Sequence, residues 1–200
     1  MPRRIILENG MKYHIYNRGV EKRCIFMNDE DRYRFLMSIK AFNTNIIGSL
    51  HESLDRQKVS DVGKKGAWKI HDGDLVKIHA FTLLDNHFHL EIEQLVDNGC
   101  QRFLHRLMMG YTKYFNQKYN RVGPLFQGRY KSKWIDNDFY SEWIKPYIHL
   151  NILDEAFPQW REGVLVNPKK AIQYALDYTW SDFAQSINDD YIDLLKARFN

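Results

Sequence analysis

Asn86-His87-Phe88-His89-Leu90-Glu91-Ile92-Glu93 alternates polar and apolar residues without a break. Successive side chains of a β-strand point to opposite faces, so His87, His89, Glu91 and Glu93 share one face and Phe88, Leu90 and Ile92 the other. The apolar face backs onto a core. The polar face carries two imidazoles on a rigid base, a pair able to ligate a metal, and Glu91 offers a hard oxygen suited to magnesium or manganese. A solvated face with no ligand is the other reading of the same alternation.

The flanking sequence extends this strand into a sheet. Residues 75–84 form a second strand, joined to 86–94 by a tight turn at Asp85-Asn86. Upstream, Lys12-Tyr13-His14-Ile15-Tyr16-Asn17 alternates as a strand and Arg18-Gly19-Val20 ends it. Asn28 or Asp29 then caps a helix running to about Ile47, with Tyr33, Leu36, Met37 and Phe42 on its apolar face. Residues 49–66 are polar, mixed in charge and glycine-bearing, and read as an exposed insertion. From about Asn98 to Asn120, Phe103, Leu104, Leu107, Met108, Tyr111, Tyr114 and Phe115 recur at helical spacing. A strand over 125–135 and a helix over 136–152 follow, and Pro146 predicts that this helix kinks or begins there. Residues 184–200 read as a C-terminal extension of one domain covering 1–200. The order of elements predicts an α+β fold: a ferredoxin-like or RRM-like antiparallel sheet with helices on one face, plus a C-terminal helix.

Composition sets the environment. The two cysteines, Cys24 and Cys100, have no metal-type spacing, which predicts free thiols in the cytoplasm. No apolar run is long enough for a signal peptide or a bilayer span, so a membrane is not an expected partner. A net charge of +4 says little by itself, but its distribution says more. Between Arg121 and Trp134 the chain holds Arg121, Arg129, Lys131 and Lys133 and no acid. On a strand the last three share one face, opposite Tyr130, Ser132 and Trp134. This reads either as a phosphate-tracking stripe beside stacking aromatics, or as a solvated strand face with Tyr130 and Trp134 in the core.

The last predicted helix contains Tyr147-Ile148-His149-Leu150-Asn151, which sets Tyr147 and Asn151 four apart on one helical face. A phenol beside an oxygen-donor amide suits phosphoryl transfer: the phenol attacks a phosphodiester and the amide helps hold a metal. A packed core tyrosine is the default alternative.

At this point the chain resembles a family. HAFTLLDNHFHLEIE, LMMGYTKYFNQKYNRVGPLFQGRYKSKWID and YIHLN are similar, in that order, to the single-tyrosine HUH transposases. Within them they resemble the REP-associated tyrosine transposase (IS200-like) branch. YHIYNRGVEKRCIF near the start and YTWSDF at 178–183 match that branch as well. Leu84-Asp85 stands where the family commonly has Met-Pro. The resemblance implies a transposase that cuts single-stranded DNA near hairpins, forming a 5′-phosphotyrosine link and later rejoining strands. It makes Tyr147 the nucleophile, and His87, His89 and Asn151 the ligands of a divalent magnesium or manganese ion. It assigns Arg129, Lys131 and Lys133, with Arg121 and Arg18, to DNA contacts, and it allows either a homodimer or a monomer. Two other classes stay open on the residues alone. One is a non-catalytic hairpin-binding protein, whose binding survives chelation and loss of Tyr147. The other is an unrelated His-x-His metal hydrolase, which forms no covalent link to DNA.

Overall fold

The computed structural model describes residues 7–45, 74–136 and 138–199, so the segment 49–66, expected to be an exposed insertion, lies outside the described residues. Strand β1 (Lys12–Arg18) leads through a short 3-10 turn (Val20–Lys22) to α1 (Asp29–Phe42). Next come β2 (Val76–Leu84), β3 (His87–Gln94), α2 (Gly99–Lys118), β4 (Lys131–Trp134) and α3 (Asp138–Leu150). A C-terminal layer follows: α4 (Leu153–Ala156), a 3-10 turn (Pro158–Glu162), α5 (Pro168–Asp177), α6 (Phe183–Ser186) and α7 (Asp189–Phe199). The four strands form one antiparallel sheet in the order β2-β3-β1-β4. Among the described residues, no helix is long and apolar enough to cross a membrane.

Helix α1 starts where the sequence places it. Asn28 accepts a hydrogen bond from the Asp31 amide, and Asp29, Glu30 and Asp31 face the positive end of the helix dipole. It ends at Phe42, short of the expected Ile47, because the next residue is recruited elsewhere. The buried Asn43 amide accepts from the Leu75 and Val76 amides and donates to the Val76 carbonyl, fixing the chain to the start of β2. Helix α2 crosses α1 closely at Gly110, where a Cβ would lie 2.6 Å from the Phe42 ring. The buried Asp31 carboxylate then fastens the two helices, accepting from Lys118, Tyr114 and Tyr119.

These two helices cover the apolar face of the sheet. Phe88, Leu90 and Ile92 of β3, Tyr13 and Ile15 of β1, and Phe81 and Leu83 of β2 pack with Phe35 and Ile39 of α1 and Phe103, Leu107 and Tyr111 of α2. Helix α3 takes the opposite face, where Ile144 and Ile148 sit on Ala80. The C-terminal helices join it around Leu84, Trp160 and Phe183. Residues 180–182 cover the outer edge of β2: the Leu83 amide donates to the Trp180 carbonyl, and the Phe81 amide to the Asp182 carboxylate. Covering an edge in this way removes a template for unwanted strand pairing.

Two expected boundaries change. The predicted 125–135 strand is interrupted: Lys131–Trp134 pairs with β1, Gly128 adopts φ +79° and breaks the ladder, and before the break the Gln127 amide donates to the Arg18 carbonyl while Phe126 bridges Gly19. Helix α3 does not begin at Pro146 but runs through it from Asp138 to Leu150.

Candidate functional site

Pairing register gathers the strand side of the site. Arg18 lies opposite His87, Tyr16 opposite His89 and His14 opposite Glu91, so six side chains share the face beneath α3. His14 and His89 are almost wholly buried and share a 2.8 Å hydrogen bond between His14 Nε2 and His89 Nδ1. His87 Nδ1 meets Asn86 Oδ1 at 2.6 Å, and the two histidine rings of β3 stand 5.1 Å apart. Burial is the largest influence on all three imidazoles. It lowers His14 to about 4, aided by Lys133, and His87 to about 4, partly opposed by Asp154. It also holds His89 well below the usual range, with His14 adding to the effect. All three rings are therefore neutral near pH 7. Both Nδ1 atoms of the β3 pair are occupied, which leaves each Nε2 to meet a ligand. Glu91 lies on the same face and is buried; burial raises its pKa, and its Oε2 has no hydrogen-bond partner among the described residues.

Helix α3 lays the tyrosine over this floor. The Tyr147 ring stands edge-on to His14 and His89, with centroids 5.7 and 6.1 Å away. Its hydroxyl accepts from Arg161 Nη1 at 2.8 Å. Asn151, one residue past the helix, donates from Nδ2 to the Tyr147 carbonyl and accepts from Arg161 Nη2 at 2.7 Å. Asp154 accepts two hydrogen bonds from the same guanidinium and a third from Trp160 Nε1. The guanidinium lies 5.0 Å from the Tyr147 ring centre and 4.8 Å from that of Trp160. Burial works against its charge, but Asp154 and Tyr147 outweigh that and raise its pKa. Arg161, Asp154 and Trp160 escape sequence reading. They come from α4 and an irregular turn, and no periodicity relates them to Tyr147.

A buried pin sets the roll of α3. His149 contacts the Tyr191 hydroxyl at 2.7 Å and Asp182 at 2.8 Å, and Asp182 also accepts from the Phe81 amide of β2. Two residues along a helix is a rotation of about 200°. Pinning His149 into the C-terminal layer therefore turns Tyr147 toward the histidines.

The basic residues divide. Lys131 pairs with Tyr16 and Lys133 with His14, which puts both on the histidine face. Arg18 joins them opposite His87 and donates to Gln127. Arg129 sits in the strap before β4, its guanidinium 5.1 Å from the Tyr130 ring centre. Arg121 lies apart: it donates to Asn116 and rests over Phe115, a member of the apolar-face core.

The donor chemistry suits a divalent cation. Two neutral imidazoles with free Nε2 atoms make a nitrogen pair suited to divalent transition metals, and an amide oxygen with a second lone pair adds the kind of donor that magnesium and manganese accept. Among the described residues, no three His, Cys, Asp or Glu side chains form a group able to hold a metal ion.

An antiparallel sheet with a paired-histidine floor, closed by a helix-borne tyrosine, is the arrangement these residues assemble. The family described as IS200-like transposases matches residues 49–151, just over half of the chain, and the chain belongs to that family of DNA-processing enzymes. The matched segment runs from before β2 to Asn151, so it contains the histidine pair and Tyr147 but ends before Asp154 and Arg161. No curated protein sequence matches the chain. Among solved structures, a REP-associated tyrosine transposase bound to a REP hairpin shares the fold, with a TM-score of 0.55 and 12% identity. The alignment covers 96% of this chain and 87% of that one.

Proposed function

We propose that the chain is a metal-dependent endonuclease and strand transferase that cuts single-stranded DNA beside hairpins. The observation that carries this reading is the packing of Tyr147 against His14 and His89 of its own chain, with its hydroxyl held by Arg161. In the cleavage step the Tyr147 Oη–phosphorus bond forms and the P–O3′ bond breaks. The phenol proton passes to solvent and the departing 3′ oxygen takes one from solvent, leaving a 5′-phosphotyrosine and a 3′-hydroxyl. Rejoining reverses these bonds, so bond energy is conserved and no nucleotide cofactor is required.

A free phenol has a pKa of roughly 10, and Arg161 supplies the positive charge its oxygen needs as the proton leaves. A magnesium or manganese ion on His87, His89 and Asn151 would supply Lewis-acid charge to the phosphate. His14 orients His89, and Asn86 orients His87. Lys131, Lys133, Arg129 and Arg18 carry the DNA backbone across the face, and Arg121, which rests over Phe115, would meet DNA outside that face. The hairpin partner is proposed from the relative of the same fold, which is bound to one. Both halves of the site come from one chain, which favours a monomer as the working unit, and the free thiols Cys24 and Cys100 favour the cytoplasm.

The test is a denaturing gel of 3′-labelled hairpin DNA incubated with the protein and manganese. A shifted protein–DNA adduct is expected from the wild type and none from Tyr147→Phe. An adduct from Tyr147→Phe would move the nucleophile to another tyrosine. Free cut products without any adduct would make the protein a hydrolase, and binding without cutting would make it a hairpin-binding protein.

A further inference from the structure

Behind the β4 edge, on the α2 side of the sheet, lies a cavity of about 570 Å³ between the first turns of α2 and the Arg129–Tyr130 strap. Its rim carries Arg102, His105, Arg106 and Arg129, and no carboxylate lines it. Arg106 donates to the Thr44 carbonyl and Arg129 lies over Tyr130, so neither is neutralised by an acid among the described residues. The Arg102 amide donates to the Asn98 carbonyl, and its side chain makes no hydrogen bond or ion pair among the described residues. The floor is apolar, with Leu104, Met108, Met109 and Tyr130; Met109 is 61% exposed. The strap is held in place: Asn17 Nδ2 donates to the Gly128 carbonyl at 3.1 Å and approaches Met108 Sδ at 3.8 Å. Immediately beyond it, Lys131 and Lys133 turn onto the histidine face.

We propose that this groove binds the single-stranded DNA flanking the hairpin, guiding it around the β4 edge to Tyr147. The inference rests on the reading of the chain as a single-strand DNA transferase. An uncompensated cationic rim calls for a polyanion, and an apolar floor ending in an aromatic ring calls for an exposed base. A paired stem hides its bases and would leave the exposed apolar surface of Met109 and Tyr130 uncovered, so an unpaired segment is the better complement. Arg102 and Arg106 meet its phosphates, while Tyr130 and Met109 meet a base.

The full chain is tested against hairpins carrying single-stranded flanks of increasing length. For the wild type, adding a flank tightens binding by about tenfold over the bare hairpin, the scale of one stacked base with its phosphate. Arg102→Glu should abolish that gain and leave bare-hairpin affinity within about twofold, since the Arg102 side chain makes no hydrogen bond or ion pair among the described residues. In addition, 5-iododeoxyuridine in the flank should photocross-link to Tyr130 or Met109. A flank gain unchanged in Arg102→Glu, an equal gain from a duplex flank, or cross-links confined to other residues would each overturn the groove assignment. Failure of the wild type to bind any hairpin would instead overturn the functional reading beneath it.

Discussion

On one face of the sheet Phe88, Leu90 and Ile92 meet α1 and α2 in a continuous apolar layer. On the other, His14, His89 and Glu91 are buried almost as deeply, yet they share the space with Tyr147. The first face is held by contacts that need only shape and area. On the second, nearly every buried polar atom has a directed partner: His14 for His89, Asn86 for His87, and Arg161 for both Tyr147 and Asn151. Directed partners are costly to lose singly, because a buried group left unpaired bears its full desolvation penalty. One strand thus serves two purposes: its apolar side holds the molecule together and its polar side forms the floor of the candidate site.

The sharpest way to break this comparison is to cut the polar side. His87→Ala or His89→Ala should reduce hairpin cleavage to an undetectable level while DNA affinity stays within a few-fold, since affinity resides mainly in the cations of the β4 side. Gel cleavage and binding isotherms on the same preparation check it, and full cleavage by the double variant in chelator would end the metal reading. Phe88→Ala, one residue away but on the apolar face, should instead lower unfolding free energy by about 3–5 kcal/mol in urea titration. Whatever protein remains folded should still cleave. If Phe88→Ala spared stability and removed cleavage, the two faces would not be separable.

A smaller effect concerns the group that closes the site. Arg161→Ala should slow adduct formation by about 10–100-fold in single-turnover assays, the scale typical of a supporting group at a metal site. Arg161→Lys should recover only part of that loss, because a single ammonium cannot hold Tyr147, Asn151 and Asp154 together as the guanidinium does. Unchanged rates in Arg161→Ala would reduce the guanidinium to packing.

The smallest expected effect is on pH. Burial lowers both His14 and His87 from 6.5 to about 4, so between these values the unfolded chain binds more protons than the native one. The stability they contribute is present above pH 6.5 and is lost as the pH falls toward 4. Urea midpoints of the metal-free protein should decline across that window, and decline less in a His14→Gln, His87→Gln double variant. A parallel decline in both proteins would assign the pH response to other groups.

Much of this architecture is legible from local periodicity. Alternation in 86–93 identifies the two faces of β3, helical spacing identifies α2, and Asn28 marks the start of α1. Tyr147 and Asn151 are visible as a four-residue pair, because an interval of one helical turn is written in the chain itself. What no local pattern contains is how separate segments meet. That Arg161 and Asp154 close over Tyr147 depends on the docking of the C-terminal layer, and that docking depends on His149 finding Asp182 and Tyr191. That β4 shortens follows from the left-handed turn at Gly128, held by a distant Asn17. Arg121 belongs to the same acid-free stretch as the basic strand in sequence and lies over Phe115 in space. Strand and helix periods are properties of the local backbone, so they survive in one dimension. The site is an encounter of side chains far apart in sequence, decided only when apolar burial and paired polar groups settle the packing together.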